Sequence, residues 1–540
     1  MTRMSLIAIL VVALLSPASV ARAQGSGVDP DRLGKVNFQT SCASEAQARF
    51  TRGVAMLHSF WLDGAIKEFT EAAQVDPGCG IAGWGVAMAW MGNPLAGPPS
   101  AKGLTEGAAA VAKAKTMGSK TQRERDYVAA IEIIYKDTDK IDHRTRAVAY
   151  EKAMEQLTVR YPDDREAAVF YALALNMTLN PNDKTYANQL KAASILEKVF
   201  AEQPQHPGVA HYLIHSYDFP PIANKGVTAA RRYASIAPAA PHAQHMPSHI
   251  FTRVGSWQES VDSNRASARA AQEAMGVNTI GLRSYESLHA YDYMMYAFMQ
   301  LAKDREAKAL MDDVTATRKL NVDHFAGAYA LAAIPARYTL ERGRWGDAAV
   351  LTVSPSEIAW DKFPQAESIT WFARGIGAAR SGNVADAQKS LARIEALRDT
   401  LKAAKNTYWA EQSEIQRLVV AGWIARAEGK NEEAVALMRQ AADREDATEK
   451  HPVTPGALFP AREMLANLLL DLGQPGPALA EFERSQKNDP NRFRGLAGAA
   501  RAAELAGDRD KARGYYAKLM TLAATADTER PELTQAKSFK

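Results

Sequence analysis

Eleven histidines are ordinary for 540 residues, but six of them, His206, His211, His215, His242, His245 and His249, fall within 44 residues. Even scattering would put about one there. The chain reads His-Tyr-Leu-Ile-His-Ser-Tyr-Asp over 211–218 and His-Ala-Gln-His-Met-Pro-Ser-His over 242–249. Each half carries HxxxH, which on a helix sets two imidazoles on one face a turn apart. Neutral imidazole is a ligand for zinc, copper, nickel and iron, and the lack of a nearby cysteine argues against a structural zinc of the finger type. The spacing therefore predicts an all-nitrogen site for a transition metal (copper, zinc or iron) on His211, His215, His245 and His249, with Asp218, His289 and Asp292 as supports or further ligands. The competing reading of the same residues is a set of core or groove histidines hydrogen-bonded to Tyr212, Asp218, Ser248 or backbone. Other chemistries lack their motifs: there is no HExxH, GxSxG, GxxxxGK[ST] or CxxCH, so the sequence offers no zincin, serine-hydrolase, nucleotide or haem signature. Paired carboxylates of the glycosidase kind stay open, because such partners lie far apart in sequence.

The elements that must position these imidazoles are helices. Apolar residues recur at helical spacing in segments of roughly twelve to sixteen residues, without sustained alternation of period two. The segments repeat. From Ala46, a unit carries Gly53, Ala65, Phe69, Ala72 and Pro77. The same register returns from Phe459 (Ala466, Gly473, Ala478, Phe482, Pro490) and directly afterwards from Phe493 (Ala500, Gly507, Ala512, Tyr516). Small residues let two helices touch, bulky ones fill the space between hairpins, and proline stops the second helix. This pattern resembles the tetratricopeptide repeat (TPR) family. The resemblance implies an all-α solenoid of helix pairs, a right-handed superhelix with a concave groove lined by the first helix of each pair.

In that register a unit starting at Pro207 places His211 and His215 at its fifth and ninth positions. The next, starting at Pro241, places His245 and His249 there, with His242 at its second. A third, near Leu288, brings His289 and Asp292 to its second and fifth positions, with Glu286 just ahead. The family's groove positions also select Trp84, Met88 and Met91 as an apolar lining. A TPR groove implies a peptide, protein or small-molecule ligand, so an interaction module without metal is the alternative function.

The ends and composition bound the rest. Arg3, the apolar run 5–15 and Ala21-Arg22-Ala23 form a secretory signal with its cut expected after Ala23. No other stretch is apolar for the roughly 20 residues of a membrane span. The expected compartment is therefore periplasmic or secreted, where Cys42 and Cys79, 37 residues and about one repeat apart, would close a disulfide. A net charge of +4 without a basic run gives no support for nucleic acid. The expected organisation is a signal over 1–23, an amino-terminal array over 24–350, a joint or loop over 351–367, a carboxy-terminal array over 368–525 and a polar tail over 526–540, the two arrays being either jointed there or one continuous superhelix with a long loop. The segments HYLIHSYD, HMPSHI, HSFW (58–61) and MGNPL (91–95) resemble a group of exported bacterial TPR proteins. That resemblance supports fold and compartment and implies no activity.

Overall fold

The computed structural model describes residues 29–181, 183–275 and 281–539, so the signal expected over 1–23 lies outside them. The chain is a solenoid of helix hairpins. It runs from Ser44–His58 with Leu62–Val75 to Phe493–Leu505 with Arg509–Leu522. Among the described residues the only β structure is a parallel pairing of Leu282–Arg283 with Lys319–Leu320.

Small residues do the work their spacing predicts. A β-carbon on Gly53 would stand 2.7 Å from the Phe69 ring and one on Gly85 would stand 2.6 Å from it. Phe69 is therefore clamped between the helix before it and the helix after it, and truncating such a ring costs about 3–5 kcal/mol. Phe482 meets Gly498 in the same way at 2.2 Å. Several hairpin turns close on a glycine with positive φ, as at Gly382, Gly429, Gly473 and Gly507. The first hairpin instead has Phe60 there, at φ 52°. A non-glycine residue in that region costs about 1–3 kcal/mol, so its ring must earn its place.

Cys42 and Cys79 are bonded, their Cα atoms 4.9 Å apart. Each lies just ahead of a helix, Ser44–His58 and Ile81–Trp90. Such a crosslink contributes about 2–4 kcal/mol. No helix among the described residues is long and apolar enough to cross a membrane.

Three expectations need correction. Trp84, Met88 and Met91 do not line a groove: they are 1%, 2% and 3% exposed. Phe38, Phe50, Tyr127 and Phe170 pack around the Trp84 indole and cover that face. The residues expected as a polar tail include a docked helix, Pro531–Ser538, with Leu533 and Ala536 buried and Arg530 paired to buried Asp304. Finally, the core runs straight through the expected joint: Ile358, Trp360 and Phe363 are buried together with the helices on both sides. The seam in the apolar core lies earlier, between a cluster reaching from Leu33 to Phe251 and a second reaching from Trp257 to Ala536. The carboxy-terminal helices fold back over this seam. Trp257 donates its indole N–H to the carbonyl of Asn491 at 2.7 Å, and Lys450 reaches Asp218 at 2.7 Å.

Candidate metal centre

Four helical segments bring the imidazoles to the seam. His211 and His215 stand on Pro207–Tyr217, which begins with proline at its first turn, where no N–H is needed. His242 and His245 stand on Pro241–His245, and His249 follows on Pro247–Val254. His289 stands on Tyr285–Gln300, capped by Ser284.

The structure sorts these six into two trios rather than the single four-histidine site expected. His211, His215 and His242 form one, and His245, His249 and His289 the other, with the ligating atoms in each lying within 4.8 Å of one another. In the first, His211 Nε2 is 3.1 Å from both His215 Nε2 and His242 Nε2. In the second, His245 Nε2 is 3.1 Å from His249 Nε2, and the His289 ring lies 4.3 Å from that of His245. The trios are neighbours, with ring centroids 6.0 Å apart for His215 and His249 and 6.2 Å for His242 and His245. Each trio takes the fifth and ninth positions of one repeat and the second position of the next. The ladder ends after two rungs because the third repeat carries Asp292 and Tyr296 where the first two carry histidine.

The far side of three rings fixes their tautomers. His211 donates Nδ1–H to the His58 carbonyl at 2.6 Å. His245 donates Nδ1–H to Asn264 Oδ1 at 2.6 Å, and the amide is oriented by its own N–H bond to the Ser260 carbonyl at 2.8 Å. His249 donates Nδ1–H to Asp218 Oδ2 at 2.9 Å. All three Nε2 atoms therefore present lone pairs to the centre. Burial, then the neighbouring imidazoles, hold His211, His215, His242 and His289 well below the usual imidazole range. Burial and His249 do the same for His245. For His249, burial outweighs the opposing pull of Asp218. Asp218 itself stays ionised: burial would raise it, but Lys450 and Arg253 beside it hold it well below the carboxylate range.

Asp218 thus supports the site as expected, whereas Asp292 is not brought to it. Its carboxylate pairs with Arg337 at 2.8 Å, and that guanidinium also donates to the carbonyls of Gly456 and Ala457. Sequence reasoning also missed four contributors. The Phe60 ring lies 4.5 Å from His211 and 5.4 Å from His242, and its signal was the HSFW segment. Asn264, Lys450 and Tyr293 carried none. Tyr293 Oη is 3.3 Å from His249 Nε2 but gives its proton to the Thr454 carbonyl at 3.0 Å.

A third group, His58, Glu166 and His206, lies beside the first trio. Glu166 accepts from His58 Nε2 at 2.9 Å and His206 Nε2 at 3.0 Å. Tyr212 Oη bonds His58 Nδ1 at 3.1 Å, and the Val209 N–H bonds His206 Nδ1 at 3.2 Å. Every ring nitrogen here has a partner.

No protein-family model matches the chain, and a comparison with curated proteins gives no match. Among solved structures it is similar to human IFIT1 with m7Gppp-AAAA (12% identity over 82% of this chain and 90% of that one, TM-score 0.37). It is also similar to yeast Tom70 (12%, 92% and 95%, TM-score 0.31) and to a Naa15/Naa10 complex bound to HypK-THB (12%, 91% and 72%, TM-score 0.25). These are TPR-type helical repeat proteins. The chain's own stacked helix hairpins establish the helical-repeat fold.

Proposed function

We propose that this is an exported helical-repeat protein that holds two transition-metal ions, one on each histidine trio. One observation carries the reading. His245 and His249 have both committed their Nδ1 protons outward, to Asn264 and Asp218, so their Nε2 lone pairs face each other at 3.1 Å. The nearby hydroxyl of Tyr293 is spent on Thr454. Two buried lone pairs at that distance repel unless a cation lies between them.

The spacing suits an ion. Two imidazole nitrogens bonded at about 2.0–2.1 Å to a tetrahedral metal are about 3.3 Å apart. Neutral rings are ready to bind without first releasing protons. The outer hydrogen bonds to a carbonyl, an amide and a carboxylate are those that orient metal-bound histidine. An oxidising compartment is supported by the Cys42–Cys79 bond. The peptide-groove alternative loses its apolar lining, since Trp84, Met88 and Met91 are core.

The test is a titration of the metal-free chain, separately with zinc and with copper(I), against a chromophoric chelator. At least one metal should saturate at two ions per chain. His215→Ala and His289→Ala should each saturate at one. Failure of both metals to bind, or the same saturation value in all three proteins, would remove the reading.

A further inference from the structure

We infer that the two trios hold a pair of copper(I) ions that together take up one molecule of dioxygen. This rests on the two-ion reading above and adds to it the identity of the metal and of its ligand.

The donor set comes first. Each trio offers three neutral imidazoles and, among the described residues, no carboxylate or thiolate joins either one. Three imidazoles complete the coordination of copper(I), whereas zinc on three imidazoles keeps a water in its fourth position. Charge points the same way. A zinc pair would bring four positive charges into a buried site, and a copper(I) pair only two. The nearby carboxylate, Asp218, is already shared between Arg253 at 2.9 Å and Lys450 at 2.7 Å. Added positive charge there is therefore poorly compensated, and uncompensated buried charge is what a low-dielectric site resists most.

The pairing comes second. The trios are related by one repeat step and stand with rings about 6 Å apart (6.0 and 6.2 Å), close enough for two ions to act on one small ligand, as two-metal centres do at about 3.5–4 Å. Access comes third. A cavity of about 450 Å³ has His215 in its wall, together with Met177, Leu179, Phe219, Tyr408 and His451. Its mainly apolar wall suits a small apolar molecule such as dioxygen.

The step balances as written. Each copper(I) gives up one electron and becomes copper(II). Dioxygen gains both electrons, its double bond becomes the single bond of peroxide, and no proton moves.

The experiment uses the full chain, made metal-free, loaded anaerobically with two equivalents of copper(I) and then given dioxygen. Uptake should be one dioxygen per two coppers. A peroxide-to-copper charge-transfer band should appear, and the oxidised protein should be nearly silent in electron paramagnetic resonance because the two spins couple. His289→Ala, with one copper, should give no such band and, once oxidised, the resonance of an isolated copper(II). Two bound coppers that take up no dioxygen in that ratio, or that give two isolated copper(II) signals, overturn this inference and leave the two-ion site standing. Binding of two zinc ions but no copper does the same. Failure to bind either metal removes both.

Discussion

His58 and His206 share the carboxylate of Glu166, and the next residue along from the Tyr212 that completes their network is His211, the first member of the ladder. The two groups use the same residue type, at similar burial, in adjacent parts of one fold. They differ in how their lone pairs are spent. In the Glu166 group each ring donates one proton and accepts one, and the set closes on itself. In the ladder the protons of His211, His245 and His249 point outward, and the lone pairs converge. On the proposed function, that accounting, and not the number of rings, separates the ladder from the Glu166 group.

The comparison is broken most severely by removing one ligand from each trio. His211→Ala with His245→Ala should lower bound metal from two ions to below about a tenth of an ion per chain, with helical circular dichroism retained. Glu166→Ala should do the converse. It leaves two buried ring N–H groups unpaired, which costs about 3–5 kcal/mol, measured by denaturant unfolding, while the two-ion stoichiometry at saturation stays unchanged. If Glu166→Ala emptied the ladder and spared stability, the two roles would be reversed.

Smaller changes sharpen the contrast. Asn264→Leu takes away the acceptor that fixes the His245 tautomer. It should weaken one of the two ions by about 10–100-fold in chelator competition, and Asn264→Asp should retain the affinity. pH gives a further test. The six imidazoles titrate below the usual value of 6.5 in the folded chain. The unfolded chain therefore takes up protons first as pH falls, so stability is full above about pH 6.5 and declines below it until the folded values are reached. The unfolding midpoint of the metal-free chain should fall between pH 7.5 and 5.5, and should fall less in a variant with His215 and His242 changed to Asn. The smallest effect belongs to Phe60→Gly. Relief of a left-handed backbone offsets part of the lost ring packing, leaving about 1 kcal/mol of destabilisation.

Much of the ladder was legible before folding. Register alone identified His211 with His245 and His215 with His249, and put His242 and His289 at matching positions of later repeats. What it misjudged was the grouping, expected as one four-histidine site on His211, His215, His245 and His249 where the structure forms two trios. Whether a second-position histidine completes the trio of its own repeat or of the one before depends on how far successive helices are offset, which spacing along one chain does not encode. Asp292 was misplaced for a different reason. Its repeat position is right, but Arg337, far away in sequence, claims its carboxylate. Trp84, Met88 and Met91 followed a family register that assumes an open concave face, whereas all three are buried and Phe38, from the segment ahead of the first repeat, packs on Trp84. Lys450 reaches Asp218 only because the later helices fold back across the core seam, a long-range contact that no local pattern announces. The disulfide was readable because its two cysteines sit one repeat apart at equivalent helix starts.

The most direct measurement of the central claim is elemental analysis of the protein purified from its native compartment, without a nickel column, beside His289→Ala prepared in the same way. Two transition-metal ions per chain are expected in the first and one in the second, at comparable stability. Less than about a tenth of an ion per chain in the unaltered protein, or equal metal content in both, would contradict it.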